Sequence, residues 1–131
     1  MRPARRSAGT PRRKTETFAR ALEGREEISI TVKGRRTGKA IRLPVWFVAN
    51  GDALWLLPIT GSRSQWYRNV RADPTITIRA GRQSLIGRGR SVTDRRIVRS
   101  VVRRFRTKYT PPEVARYYSR FDAAVRVPLK P

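Results

Sequence analysis

AIRLPVWFVANGDALWLLPI, residues 40–59, is the stretch on which the fold turns. In an extended chain Ile41, Leu43, Val45, Phe47 and Ala49 fall on one face, and Arg42, Pro44, Trp46 and Val48 on the other. Both faces are largely apolar, which predicts a strand covered on both sides. Pro44 has no N–H to give a ladder, so its place is a bulge or a sheet edge. Asn50-Gly51-Asp52 is a strong hairpin signal, and the chain returns through Leu54, Trp55 and Leu56 as a further strand.

Upstream, Ile28, Ile30 and Val32 alternate with Ser29, Thr31 and Lys33, the pattern of a half-buried strand, and RRTGK (35–39) makes a hairpin turn between Gly34 and Ala40. Downstream, GSRSQWYRNVRADP (61–74) reads as a short helix, and PTITIRAG (74–81) as a strand that reverses through AGRQ (80–83). SLIGRGRSVT (84–93) follows, where Gly87 and Gly89 predict a bend or a close approach by another group. TDRRIVRSVVRRFRTKY (93–109) is an amphipathic helix capped by Thr93 or Asp94, with Ile97, Val98, Val101, Val102 and Phe105 as its buried stripe. TPPEVARYYSRF (110–121) restarts a helix with prolines in its first turn, and AAVRVPL (123–129) is a final strand. Before all of these, TETFARALEGR (15–25) predicts a short helix with Phe18, Ala21 and Leu22 on one face.

The expected fold is α+β and mainly β: a small closed or partly closed antiparallel barrel of about six strands, with a short helix between strands 3 and 4 and a helical pair before the last strand. Residues 1–14 carry six Lys/Arg and no acid, and read as a disordered basic arm ahead of one domain over 15–131. No apolar run is long enough to span a bilayer and no signal-type apolar segment follows the basic start, so the expectation is a cytoplasmic protein.

The composition narrows the chemistry. The chain has no Cys and no His, which removes thiolate nucleophiles, disulfides, the usual zinc ligands and the usual general base. The G-x-S-x-G elbow, the P-loop and the Rossmann glycine pattern are absent, and Glu26 and Glu27 are strand neighbours that point to opposite faces. An enzyme of this composition relies on a cofactor. The net charge of +22, from 31 Lys+Arg against 9 Asp+Glu, predicts a polyanionic ligand, nucleic acid or an anionic membrane surface. Only five of the basic residues are Lys, a bias that a GC-rich coding sequence also produces.

The donors gather in two places: Arg35, Arg36, Thr37 and Lys39 in one turn with Arg42 on the next strand, and Ser62, Arg63 and Ser64 at the start of the short helix. A helix N-terminus with hydroxyls and an Arg is an anion site, and a second basic turn extends it. The plain alternative is an N-cap serine and solvated turn charges. Trp66 and Val70 have ordinary core spacing, whereas Tyr67 and Asn69 carry hydrogen-bonding groups beside the anion site.

GRRTGKAIRLPVWFV (34–48), NGD (50–52) and WYRNVRADPTITI (66–78) together resemble the deazaflavin (F420)-dependent nitroreductase family of the flavin-binding split-barrel, or pyridoxamine phosphate oxidase-like, superfamily. Gly34, Arg35, Thr37, Gly38, Lys39, Pro44, Gly51, Asp52, Trp66, Tyr67, Asn69, Ala72 and Pro74 fall in register with that family's T-G-R-x-[ST]-G-K and W-Y-x-N-L-x-A-N-P runs, over about residues 28–80. The resemblance implies a split β-barrel that binds coenzyme F420, with FMN as the alternative, and passes hydride to a quinone, nitro compound or other unsaturated acceptor. It implies that Arg35, Arg36, Thr37, Lys39, Arg42 and Arg63 receive the cofactor's phosphate and oligoglutamate tail, with Ser62 and Ser64 as hydroxyl donors. The ring is then expected against Pro44, Trp46, Ile59 and Thr60, with Trp66, Tyr67 and Asn69 closing the pocket. Tyr117 or Tyr118 is a candidate to orient the acceptor, with core packing as the plain alternative. The turn from Thr60 through GSRSQ to Trp66 is shorter than the family's Gly-Gly-Ala-Pro-containing turn, which keeps FMN in contention.

Three further expectations come from charge and shape. A nucleic-acid-binding small barrel would use Trp46, Trp55 and Trp66 as base platforms. Peripheral contact with an anionic membrane would run through the arm and residues 15–25. Exposed barrel faces would suit a homodimer, although patterning names no interface.

Overall fold

A computed structural model of the chain describes residues 11–129, so residues 1–10 of the arm expected over 1–14 lie outside the described residues, and 11–14 belong to a helix. Helix α1 (Pro11–Leu22) begins four residues before the expected start of the domain. It leads into β1 (Glu27–Lys33), β2 (Ala40–Trp46), β3 (Val48–Asn50) and β4 (Ala53–Leu56). A 3₁₀ turn at Gly61–Arg63 and α2 (Gln65–Ala72) precede β5 (Thr75–Ala80), β6 (Gln83–Arg88) and β7 (Arg90–Val92). Helices α3 (Arg95–Tyr109) and α4 (Pro111–Tyr117) lead to β8 (Ala124–Pro128).

The strands form two four-stranded sheets, ordered β2-β1-β5-β6 and β3-β4-β8-β7, whose ladders are all antiparallel. Two of the six expected strands are each split by one residue where the chain leaves one sheet for the other, which gives eight. Phe47 separates β2 from β3, and Gly89 separates β6 from β7. At Gly89 a side chain would meet Val70 Cγ1 at 2.9 Å and Val125 Cγ1 at 3.0 Å, so the second corner needs a residue without Cβ. These two corners join the sheets at both edges into a split barrel.

The turns follow the local chemistry. Asn50 pairs with Ala53 around Gly51-Asp52, with Gly51 at φ 62°, and Ala80 pairs with Gln83 around Gly81-Arg82. Asp94 is the cap of α3, accepting from the N–H groups of Arg96 and Ile97. Thr110, at φ 76°, turns the chain sharply between α3 and α4 and accepts from the Glu113 N–H.

Inward residues of both sheets make the barrel core: Ile28, Ile30, Val32, Ile76 and Ile78 face Leu54, Leu56, Val125 and Val127, and Phe18, Leu22, Trp66, Tyr67 and Val70 complete it. A second cluster lies outside the β3-β4-β8-β7 sheet, where Val98, Val101, Val102, Phe105 and Tyr109 of α3 pack on Val48 and Ala124. Ile97, expected in that stripe, is instead exposed, because α3 turns Val98 and not its neighbour toward the sheet. The expectation that residues 40–49 form one strand covered on both sides is likewise corrected. β2 is the edge of its sheet and Ile41 is exposed, while Pro44 faces Ser29 in an unbroken register, so its missing donor falls at an edge and not at a bulge. Among the described residues no helix is long and apolar enough to cross a membrane.

Candidate functional site

A cavity of about 470 Å³ lies beside the end of β2. Leu43, Pro44, Val45 and Trp46 form one wall, and Leu57 and Ile59 from the segment after β4 form a second. The start of α2 adds Ser64 and Trp66, α4 and its end add Glu113, Tyr117 and Tyr118, and Glu27 stands at the first residue of β1.

Aromatic contacts fix the Trp46 wall. Its indole lies flat on Tyr109 at 4.1 Å between ring centroids, meets Tyr117 edge-on at 5.5 Å, and is tilted against Tyr118 at 6.0 Å. Tyr109 is itself pinned: its hydroxyl donates toward the carbonyls of Glu26 (2.6 Å) and Phe47 (2.9 Å) and accepts from the Phe47 N–H (3.0 Å). Burial pushes that hydroxyl up to about 12, and burial raises Tyr118 well above the usual phenol range. Both rings are therefore neutral hydrogen-bonding groups at physiological pH. Lys108 Nζ also donates to the Phe47 carbonyl and sits 3.4 Å from the centroid of the Phe47 ring, and burial lowers its pKa to about 8.

Ser64 supplies a buried neutral polar group to the cavity. It is the residue before α2, 91% buried and part of the cavity lining; its side chain makes no capping bond and its hydroxyl has no hydrogen-bond partner among the described residues. Ser62, expected to share this role, is engaged: its N–H (2.8 Å) and its hydroxyl (2.6 Å) both donate to Asp122. Burial opposes ionisation of Asp122, but the Ser62 bonds and Arg120 outweigh it and hold the carboxyl down at about 2. An internal carboxylate therefore occupies the amide of the turn that the sequence suggested for an external anion.

The basic turn divides in the same way. Arg35 is a clamp: its backbone N–H (3.1 Å) and Nη1 (2.8 Å) donate to Asn69 Oδ1, and Nη2 donates to Gln65 Oε1 at 2.8 Å. Asn69 is buried and holds the turn against α2. Thr37 Oγ1 accepts from the Lys39 N–H inside the turn. Arg36, Lys39, Arg42 and Arg63 are exposed and form no ion pair among the described residues. These four, among the cations expected at the anion site, have no carboxylate partner among the described residues.

Of the residues expected around the ring, Pro44, Trp46, Ile59 and Trp66 line the cavity and Thr60 lies next to it in the chain; Tyr117 and Tyr118, the acceptor candidates, line it too, and so does Ser64, expected at the anionic tail. Tyr67 and Asn69, expected to close it, do not line it. Tyr67 is core, with its hydroxyl 2.6 Å from Ser91 Oγ, and Asn69 is committed to Arg35. Trp66 is buried, Trp46 is stacked on Tyr109, and Trp55 packs beneath α3, so these tryptophans do not form an open row of base platforms. Sequence reasoning missed Glu27, Glu113, Tyr109 and Asp122. Tyr109 carried a signal, its i+4 spacing from Phe105, but Asp122 carried none. Among the described residues no three His, Cys, Asp or Glu side chains gather as a metal site.

A family model described as F420H(2)-dependent quinone reductase matches residues 4–129. Among solved structures, an F420-H2 dependent reductase is similar at 21% identity and a TM-score of 0.59, over 79% of this chain and 94% of that one. A structure described as a domain-swapped dimer is similar at 21% identity and a TM-score of 0.63, over 86% and 94%. A proposed pyridoxamine 5′-phosphate oxidase of Listeria innocua is similar at 12% identity and a TM-score of 0.62, over 86% and 90%. At these identities the structures carry the fold, a split barrel. A comparison with curated proteins gave no match. The family model spans nearly the whole chain, so the chain belongs to the F420H(2)-dependent quinone reductase family and is an F420-dependent oxidoreductase.

Proposed function

We propose that the cavity between Trp46, Trp66 and Tyr118 holds the deazaflavin ring and a quinone-type acceptor, and that Arg36, Lys39, Arg42 and Arg63 hold the cofactor's anionic tail. The observation that carries this reading is the buried, unpartnered hydroxyl of Ser64 in a hollow whose other walls are apolar and aromatic apart from Glu27 and Glu113. A buried polar group without a partner costs free energy, and a bound ring heteroatom would satisfy it. Four unpaired cations suit a phosphate and carboxylate tail. The donor set thus fits the group.

Bound reduced F420 supplies the hydride. The protein's part is to bind, to orient and to exclude water. Pro44 and Trp46 give a flat rigid wall, Ile59 and Trp66 face the ring site, and Tyr117 at the exposed mouth with Tyr118 behind it offers the acceptor a neutral hydroxyl. Arg35, Thr37 and Asn69 act one step back, by holding the basic turn on α2.

Titration of F420 by deazaflavin fluorescence tests the assignment, with FMN titrated in parallel. Arg36→Ala/Lys39→Ala is expected to weaken F420 at least tenfold, which is about 1.4 kcal/mol. Unchanged affinity would remove the tail assignment, and tighter binding of FMN than of F420 would overturn the cofactor placement. A homodimer is proposed as well, supported by the domain-swapped dimer among the similar structures and by the uncovered edge strand β2. Sedimentation velocity showing only monomer at micromolar concentration would reject it.

A further inference from the structure

We propose that Glu27 and Glu113 make the cavity selective for the charge of its acceptor: neutral and cationic planar acceptors enter, and anionic ones are turned away. This rests on the reading of the cavity as the acceptor site.

The chain has nine acidic residues against 31 basic ones, so its general field draws anions to the surface. Four of the eight acids with described side chains are tied to local partners. Asp52 pairs with Arg126, Asp122 with Arg120 and Ser62, Asp73 accepts from the Thr75 N–H, and Asp94 caps α3. Glu27 and Glu113 come from distant parts of the chain, line one cavity, and pair with no cation among the described residues. Their carboxylates put negative charge at the wall of one cavity in a strongly basic chain.

The other walls act in the same direction. Trp46 and Tyr117 meet edge to face, with Tyr118 beside them, and aromatic faces attract cations and repel anions. The buried Ser64 hydroxyl, a second feature that points to a ligand, offers a neutral hydrogen bond and no compensating positive charge. An anionic acceptor would lose its hydration there and meet two carboxylates, with only the start of the short helix α2 to offset them. A neutral carbonyl compound keeps its hydrogen bond. The same repulsion sets the cofactor's direction, with its polyanionic tail held at the Arg36 and Lys39 end and kept out of the acceptor end.

The test uses three matched probes: 1,4-naphthoquinone, its 2-sulfonate, and an analogue bearing a trimethylammonium group. Binding to the full chain is read by quenching of tryptophan fluorescence, since Trp46 and Trp66 line the cavity. Ionic strength is held at about 0.15 M, where charges beyond about 8 Å are screened. In Glu27→Gln/Glu113→Gln the preference for the neutral probe over the sulfonate should fall at least tenfold, and that for the cationic over the neutral probe should fall at least tenfold. Each single variant should give part of both changes. Ratios within twofold of the wild type in all variants would overturn the proposal. F420 titration of the wild type is run alongside and reads the cofactor assignment independently, because probe binding needs no cofactor.

Discussion

The indole of Trp46 and the ring of Tyr109 lie 4.1 Å apart at an interplanar angle of 7°, so the wall of the cavity is backed by a residue that does not line it. Tyr109 in turn hangs on the main chain of Glu26 and Phe47, at the corner where β2 passes into β3. The orientation of the cavity wall and the closure of the barrel therefore share one side chain.

Tyr109→Phe keeps the stack and removes the three hydrogen bonds. It is expected to cost about 1–3 kcal/mol in urea unfolding, the range for leaving a buried partner unsatisfied. Tyr109→Ala also removes the backing of Trp46 and should cost about 3–5 kcal/mol, with F420 affinity weakened several-fold. Equal losses in the two variants would show that the stack contributes nothing.

The pH dependence follows from the direction of the Tyr109 shift. Its folded value of about 12 lies above the ordinary 10.0, so the fold favours the neutral hydroxyl. The stability this gives is complete below pH 10 and is lost as pH rises toward 12. Lys108 has the opposite sign: its value falls from 10.5 to about 8, so the unfolded chain holds that proton more tightly, and stability rises between pH 8 and 10.5. Melting temperatures across pH 7–11.5 should show a steeper alkaline loss in Lys108→Met than in wild type, and a shallower one in Tyr109→Phe. Parallel curves for all three would contradict both assignments.

Asn69→Ala leaves Arg35 without its main acceptor. A cost of about 1.5–3 kcal/mol is expected, as for hydrogen bonds to a charged group. F420 affinity should fall less than in Arg36→Ala/Lys39→Ala, because Asn69 positions the turn and does not touch the tail. Surface plasmon resonance or fluorescence titration separates the two; a larger loss in Asn69→Ala would move it into the binding site itself.

Gly89→Ala places a methyl group against Val70 and Val125 at about 3 Å. Overpacking of this kind is expected to cost about 1–3 kcal/mol. Gly51→Ala, where the obstacle is backbone conformation with no atom in the way, serves as the contrast. Shortening Val70 should rescue Gly89→Ala and leave Gly51→Ala unaffected.

The parts of the fold legible in the sequence are those set by neighbouring residues. Gly51-Asp52 and Gly81-Arg82 declare their hairpins because a positive φ is a local demand, and Asp94 declares a helix start for the same reason. The corner at Phe47 has no such mark. Phe47 is a good strand residue, and the chain changes sheets there because Tyr109, 62 positions later, takes both its N–H and its carbonyl. The site divides along similar lines. Pro44, Trp46, Ile59 and Trp66 share one cavity, since they flank turns whose order the chain sets, whereas Ser64, expected at the anionic tail, joins them there. Arg35, Ser62 and Asn69 have the chemistry of ligand-binding groups but find protein partners, and Ser62's partner Asp122 lies 60 positions away. Donor type is visible in a sequence, whereas the acceptor it meets is set by packing.

β8 pairs with β4 on one side and β7 on the other, yet it follows every other element in chain order. During synthesis the β2-β1-β5-β6 sheet can assemble while the ribosome is still making α3. The other sheet must wait with a gap at its centre. A chain stalled before Ala124 exposes the inner faces of Leu54 and Leu56 and two open strand edges, a surface for chaperones or for aggregation. The Trp46 cavity gains its α4 wall only shortly before that last strand, so the nascent chain has no complete cavity until the barrel is about to close.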